Sequence, residues 1–171
     1  MRVVKYLLTF LIALYLGLIL FMPKSNLYYK AEAELAKQGV VIDNEEIQSS
    51  IIDFKILHPV IYYQGVDIAR ASLIKITPLL LINRIEGENI ELLNVAKKFL
   101  NVTINSFNAN HSILKPYLVK LNIDGNFGLA TGYINLKERV VHIDIVEPKD
   151  INSIKKFLKK GEKGWYYESK F

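Results

Sequence analysis

Three patterns of hydrophobic and polar positions follow one another along the chain. Residues 6–23 carry no charge and consist mostly of Leu, Ile, Phe, Tyr and Ala. In residues 25–39 the apolar positions recur with the 3.6-residue period of a helix, and from Val40 to Val146 they recur with the two-residue period of strands. The sequence therefore predicts an apolar helix, a short amphipathic helix and then a β-rich region.

The uncharged run is long enough to span a membrane. As a helix its 18 residues extend about 27 Å, close to the roughly 30 Å of a hydrocarbon core. A cleavable signal has a shorter apolar stretch and small residues at its cleavage site, whereas this run closes with the sequence FMPK. Arg2 and Lys5 precede the run, and positive charge favours the cytoplasmic side. We expect residues 1–23 to be the cytoplasmic start and an uncleaved single-pass anchor in the bacterial inner membrane. Residues 24–171 are then expected to form a periplasmic domain. The alternatives for the apolar run are a cleaved signal and a buried helix.

The segment SNLYYKAEAELAKQG, residues 25–39, predicts a helix directly after the anchor. Ser25 is placed to cap this helix and Gly39 to end it. Tyr28 and Tyr29 belong either to the membrane interface or to the packing face of the helix, since aromatic side chains serve both purposes.

Short alternating segments make up most of the chain from Val40 to Val146. Residues 52–56, 119–123 and 134–145 alternate large aliphatic and polar side chains, and Lys137-Glu138-Arg139 is placed as the turn of a hairpin. A helical pattern interrupts the strands at residues 91–100. These features predict a mainly β fold, a curved antiparallel meander that forms a partly open barrel or trough, with short flanking helices.

Two segments of the meander depart from simple alternation. The glycines at 125, 128 and 132 permit a tight turn followed by a bend, and Gly132 is expected to accommodate a neighbouring aromatic side chain such as Tyr133. The segment ITPLLLIN, residues 76–83, predicts a central buried strand; the alternative is a segment with one side against something other than water. The apolar lining of a trough is expected at Leu79, Leu81, Val119, Leu121 and Ile123.

The net charge of +5 does not indicate a nucleic-acid-binding surface once it is divided along the chain. Residues 23–150 contain 14 Lys and Arg against 15 Asp and Glu, whereas residues 155–171 contain six Lys and two Glu. A basic stripe this short does not by itself predict binding to DNA or RNA. The chain has no cysteine, which excludes disulfides, thiol catalysis and cysteine-ligated zinc.

The sequence shows no recognisable catalytic or metal-binding motif. His58, His111 and His142 occur singly, without a second ligand at metal-binding spacing. The serines lack the glycine neighbours of a nucleophile elbow, and no phosphate-cradling loop appears. We therefore expect no enzyme activity, no cofactor and no metal.

The C-terminal segment is basic and amphipathic. It predicts a short helix, capped by Asp150, whose apolar side consists of Ile151, Ile154, Phe157 and Leu158. In one interpretation this tail docks on anionic lipid or an acidic partner through Lys155, Lys156, Phe157, Lys159 and Lys160. In the other, which we favour, the helix closes the open end of the sheet, and Trp165 and Tyr167 belong to a final edge strand.

Two stretches of the chain carry a resemblance to a known family. They are MPKSNLYYKAEAELAKQGVVID, residues 22–43, and the run G-x-F-G-x-A-x-G-x-I-x-L from Gly125 to Leu136, both behind a short start and one anchor. Together they resemble the N protein of bacterial type II secretion systems and, more distantly, the AsmA-like envelope proteins. The resemblance implies an inner-membrane accessory of a secretion, pilus-like or DNA-uptake machine, and a grooved, partly open sheet associated with lipid handling.

Three functions from different classes fit these observations. The first, which we favour, is a structural accessory component that binds other envelope or secretion-machine proteins in the periplasm. The second is a periplasmic lipid-binding or lipid-transfer domain that holds phospholipid in the trough. The third is an outer-membrane barrel, suggested by the alternation of Trp165, Tyr167 and Phe171, although an uncleaved anchor argues against it.

Overall fold

The computed structural model of the protein describes residues 2–162 and 164–171. Within them the chain forms an N-terminal apolar helix, short helices and one open antiparallel sheet of 13 strands. The predicted fold class, a mainly β fold behind an N-terminal helix, is confirmed.

The helices lie at the start of the chain and at two places along the sheet. They are α1 (Arg2–Leu20), α2 (Lys24–Lys37), α3 (Asn94–Phe99) and a 3-10 helix (Lys155–Phe157). With 19 residues and a mean hydropathy of 2.3, α1 is long and apolar enough to cross a membrane. Pro23 stands at the start of α2, and no side chain caps that helix, so the predicted capping role of Ser25 is wrong. Pro23 is the N-cap residue, just ahead of the first helical residue, where its missing N–H breaks no hydrogen bond of the helix.

The strands follow one another mostly as hairpins. They are β1 (Val40–Asp43), β2 (Glu46–Ser49), β3 (Phe54–Leu57), β4 (Val60–Tyr63), β5 (Val66–Arg70), β6 (Leu73–Pro78), β7 (Ile82–Leu92), β8 (Thr103–Ser112), β9 (Leu118–Gly125), β10 (Gly128–Asn135), β11 (Val140–Pro148), β12 (Lys159–Gly161) and β13 (Gly164–Lys170). From β7 onward their order in space is β7-β8-β9-β10-β11-β13-β12.

The long strand β7 pairs with two different strands, β6 and β5, along the same edge, so the sheet divides into two branches there. Its first half pairs with β6, which pairs with β3 and through it with β2. Its last residues pair with β5, which leads to β4 and β1. Glu91 and Leu92 therefore lie in a strand, and the helix predicted over residues 91–100 shrinks to α3, because Arg70 and Ala69 on β5 bind this end of β7.

The register gives the sheet one apolar and one polar face. One row across the strands reads Ile74, Gly87, Phe107, Ile123, Ala130 and Ile145. The row one residue along reads Lys75, Glu86, Asn108, Asn122, Thr131 and Asp144. The two-residue period found in the sequence thus corresponds to two different surfaces.

A first apolar cluster holds α2 on the sheet. The ring of Tyr28 packs 5.0 Å from that of Phe54, and Ile56 completes the buried core of this cluster. The Tyr28 hydroxyl donates a hydrogen bond of 3.2 Å to Glu45 Oε1. Burial, and then the carboxylate of Glu45, raise the pKa of Tyr28, so this hydroxyl remains a donor. Tyr28 therefore serves packing, whereas Tyr29 is exposed.

A second apolar cluster lies at the other end of the sheet, under the C-terminal segment. Phe127, Ala130 and Ile145 are buried there. The side chains from the tail that pack against them are Ile151, Ile154, Leu158 and Trp165. The tail thus covers part of the apolar face, although only Lys155–Phe157 is helical and Phe157 itself is half exposed.

The close approach of two strands, not an aromatic side chain, requires glycine at position 132. A Cβ on Gly132 would lie 2.2 Å from the carbonyl oxygen of His142 and 2.8 Å from Cα of Ile143, both on β11. The predicted accommodation of Tyr133 is therefore wrong. Gly128, with a φ of 112°, takes the left-handed conformation expected for the turn.

Residues 76–83 form a hairpin tip instead of a central buried strand, so that prediction is wrong. β6 ends at Pro78, β7 begins at Ile82, and Leu80 turns the chain with a φ of 64°. The aliphatic side chains of this tip lie beside α1, since the Tyr15 hydroxyl donates a hydrogen bond of 2.8 Å to the Leu79 carbonyl. The hydrophobic run therefore reflects contact with another apolar element and not a place inside the sheet.

Two neighbouring residues of β11 test the two-faced sheet. Ile145→Asp should lower the free energy of unfolding by about 4 kcal/mol or deplete folded protein, because it places an unpaired charge in a buried cluster. Val146→Asp, at the exposed position that follows Ile145 in the same strand, should change it by less than about 0.5 kcal/mol. Thermal melting of the full chain in detergent measures both, and equal losses would contradict the assignment of the faces.

Candidate functional site

The apolar face of the sheet is incompletely covered. α2 covers it at β3 and β6, and the tail covers it near the β9–β10 turn. Outside both covers lies a set of side chains, here called the apolar strip, none of which is fully buried. The strip consists of Ile85, Phe107, Ala109, Val119, Leu121, Ile134 and Val141.

Small residues leave gaps along the strip. One row across the strands places Ala109 between Ile85 and Leu121, and the next residue in that row is Gly132. Large and small residues therefore alternate, and a narrow apolar group can lie between the larger side chains. Phe107 closes a similar gap one row away, where its ring lies over Gly87.

The strip adjoins an apolar cavity of about 340 Å³ beneath the tail. Ile123 and Ile143 lie next to the strip and also line the cavity. The remaining lining residues are Leu100, Val102, Phe127, Ile145, Ile154, Phe157, Leu158 and Tyr167. Ligand-binding pockets typically have volumes of roughly 300–1,000 Å³ with mostly apolar walls. The arrangement is therefore suited to one elongated hydrocarbon group with its end under the tail.

A polar pair borders the strip at its opposite end. His111 lies beside Val119, and its Nε2 is 3.0 Å from the carbonyl oxygen of Pro116. Because a carbonyl only accepts, Nε2 carries a proton and donates. Nδ1 lies 3.5 Å from the side-chain amide of Asn83 on β7.

The structure brings together only some of the residues predicted to line a trough. Val119, Leu121 and Ile123 share the apolar face of β9. Leu79 and Leu81 lie in the β6–β7 turn, near α1. Sequence reasoning missed Ile85, Phe107 and Ala109. The alternation of Phe107, Ala109 and His111 was a usable signal for the β8 residues, but polar neighbours and one small residue made it weak.

Another cavity, of about 580 Å³, lies on the polar face and is less suited to a ligand. Lys75 Nζ lies 3.4 Å from a carboxylate oxygen of Glu86 and 4.0 Å from one of Asp53. Asn108 donates a hydrogen bond to the other oxygen of Glu86. These polar groups already satisfy one another, so a ligand would have to displace existing contacts.

His142 has more partners on the polar face than its isolated position in the sequence suggests. Its Nδ1 lies 3.1 Å from Glu168 and its Nε2 lies 3.2 Å from Asp144. The rings of Tyr133 and Tyr166 stack on either side, with centroids 5.4 and 5.3 Å away. Among residues 2–162 and 164–171, no group of three or more His, Asp or Glu side chains is arranged to hold a metal ion.

The lysines of the predicted interaction tail lie over aromatic rings of the same segment. Lys155 and Lys160 place their ammonium groups 5.3 and 5.9 Å from the Trp165 ring. Lys156 lies 5.0 Å from the ring of Phe157. Lys159 is 3.7 Å from Glu168. All four lysines remain exposed, so these contacts contribute little to stability and leave the charges accessible.

Comparison of the chain with family models, with curated proteins and with solved structures found no match in any of the three. The candidate site therefore rests on the geometry of the sheet, the strip and the cavity.

The packing of the tail can be tested with one apolar and one basic substitution. Leu158→Ala should lower the free energy of unfolding by about 1–3 kcal/mol, because Leu158 packs on the second cluster and lines the cavity. Lys156→Ala, two residues earlier and exposed, should change it by less than about 0.5 kcal/mol. A larger loss for Lys156→Ala in thermal melting would show that charge, and not apolar packing, holds the tail.

Proposed function

We propose that this chain is a membrane-anchored domain that binds the acyl chains of phospholipid along its apolar strip. The observation that carries the proposal is an uncovered apolar surface that leads into an apolar cavity of about 340 Å³. Covering apolar surface is favourable by roughly 25 cal/mol per Å² removed from water, and hydrocarbon needs no polar partner. The proposed role involves no catalytic step.

The proposal places the domain in the periplasm, with α1 as a single-pass anchor in the inner membrane of a bacterium. Its support is the helix itself and the charges of Arg2 and Lys5 at its start. This orientation also brings the sheet close to a source of phospholipid.

A topology reporter tests the orientation. A reporter that is active only in the periplasm, fused after Phe171, should be active, and the full-length fusion should remain in the membrane fraction through a carbonate wash. Activity of the corresponding cytoplasmic reporter, or release of a shortened soluble product, would contradict the anchor or its direction.

Site-specific photo-cross-linking tests lipid binding in the intact membrane. Two variants each carry the photoreactive residue p-benzoylphenylalanine. One replaces Leu121, on the strip, and the other replaces Asn122, on the opposite face. Irradiation should attach phospholipid at position 121, seen as a mass increase of one lipid, because acyl chains lie against the strip. Position 122 should give little or none.

The matched positions make the outcome specific. They are neighbours on β9 and differ only in the face they occupy, so general lipid contact would label both equally. Equal labelling, or a folded protein with no lipid adduct at position 121, would contradict the proposal.

A second candidate function is the accessory role in a type II secretion-like, pilus or DNA-uptake machine. The observation that favours it is the open sheet, whose edge strands within the described residues are β1, β2 and β12. Edge strands offer free backbone groups to which a partner can add a strand. In the cross-linking experiment this role predicts an adduct with the mass of a protein partner, and a lipid adduct alone would argue against partner binding at the strip.

A further inference from the structure

Backbone hydrogen bonds connect neighbouring loops at one end of the sheet. The amide of Ile113 donates to the carbonyl of Leu81, and the amide of Leu136 donates to that of Tyr117, at 3.1 and 2.8 Å. The amide of Phe171 donates to the carbonyl of Arg139 at 3.0 Å. This end, here called the rim, comprises residues 50–53, 79–82, 113–117, 136–139 and 171.

Each part of the rim exposes a large apolar side chain. Leu114 is 88% exposed, and Ile51, Tyr117 and Phe171 are each more than half exposed. The other exposed apolar side chains of the rim are Ile52, Leu80, Leu81, Ile82, Ile113 and Leu136. Such a concentration on successive loop tips marks a surface that meets an apolar partner. The opposite end also exposes apolar side chains, among them Val95, Phe99 and Phe157, but they lie on α3 and the tail and not on successive loop tips, and the turn between β9 and β10 buries Phe127.

The anchor identifies that partner. The Tyr15 hydroxyl binds the Leu79 carbonyl of the rim, and Leu80 lies against the segment of α1 around Leu14 and Leu18. Tyr15 precedes the end of α1 at Leu20 by five residues, or about 7.5 Å along the axis. If α1 spans the bilayer, the β6–β7 tip therefore lies deeper in the membrane than the C-terminal end of α1. In that position the Leu79 carbonyl, which accepts from the Leu81 amide at 2.7 Å, receives from the Tyr15 hydroxyl a second hydrogen bond that hydrocarbon could not supply.

We propose that the rim inserts into the bilayer leaflet from which α1 emerges, with its exposed apolar side chains among the acyl chains and its charged side chains, Lys115, Lys137, Glu138 and Arg139, at the level of the headgroups. Val119, Ile134 and Val141, the members of the strip nearest the rim, then lie next to that leaflet. An acyl chain passes from the leaflet onto the strip without crossing water. This inference rests on α1 as an anchor and deepens the proposed function by giving the strip its source of lipid.

Lipid-borne quenchers test the insertion in the full chain. The protein has no cysteine, so Leu114→Cys, Phe99→Cys and Leu11→Cys each give a single site for the fluorophore NBD. The labelled proteins are reconstituted in vesicles of phosphatidylcholine and phosphatidylglycerol that contain lipids with a nitroxide on the acyl chain. Leu114 reports the rim, Phe99 is the exposed control at the opposite end, and Leu11 lies in the middle of α1.

The proposal predicts that the nitroxide lipids reduce the fluorescence at positions 114 and 11 by about twofold or more and leave position 99 unchanged, because an inserted group lies about 5–10 Å into the interface. Aqueous iodide should quench in the opposite order. Leu114 is almost fully exposed, so the substitution removes little packing, and an unchanged melting temperature confirms that it folds.

Two other outcomes would overturn the insertion and differ in what they say about the anchor. If position 11 is quenched and position 114 behaves like position 99, α1 spans the bilayer but the rim stays in water. If none of the three positions is quenched, α1 is not an anchor, and the insertion and the membrane-anchored function fail together.

Discussion

The structure depends on one constraint: an open two-faced sheet must keep its apolar face out of water. A closed barrel would do this by itself, but here the order of strands ends in free edges. The chain covers the face with its own ends instead, with α2 on one side and the C-terminal segment on the other. Both covers are short, so the middle of the face remains accessible. The candidate site is the part of the face that the covers do not reach.

The same constraint relates the sheet to α1. The β6–β7 turn consists of three leucines, and Ile82 follows at the start of β7; these four consecutive aliphatic residues would be unfavourable at the tip of a hairpin in water. In this protein the turn lies against α1 and is fixed by the hydroxyl of Tyr15. α1 and the sheet are therefore not independent units joined by a linker, because the tip of one hairpin packs on the helix. That contact also sets which end of the sheet lies nearest α1.

The sequence predicted the elements that a two-residue period defines and missed those that depend on tertiary contacts. The β10–β11 hairpin and the apolar side of β9 follow directly from alternation. The β6–β7 turn could not be predicted, because a continuous aliphatic run is the same in a buried strand and in a turn against another helix. The shortening of the predicted helix to α3 depends on β5, whose pairing with Glu91 and Leu92 no local pattern reveals. The cavity could not be predicted either, because the tail residues that line one side of it are distant in sequence from Leu100 and Val102.

If the strip binds acyl chains as proposed, their transfer from a membrane is favoured over their capture from solution. An acyl chain in a bilayer is already out of water, so its move onto the strip gains little from its own burial. The gain comes from the apolar surface of the protein, which is covered when the chain arrives, at roughly 25 cal/mol per Å². A path through water would first expose the acyl chain, at a cost of about 0.8 kcal/mol per methylene. In the proposed arrangement a rim inside the leaflet would remove that barrier, and a lipid bound to the strip would stabilise the folded state, in which the strip is formed.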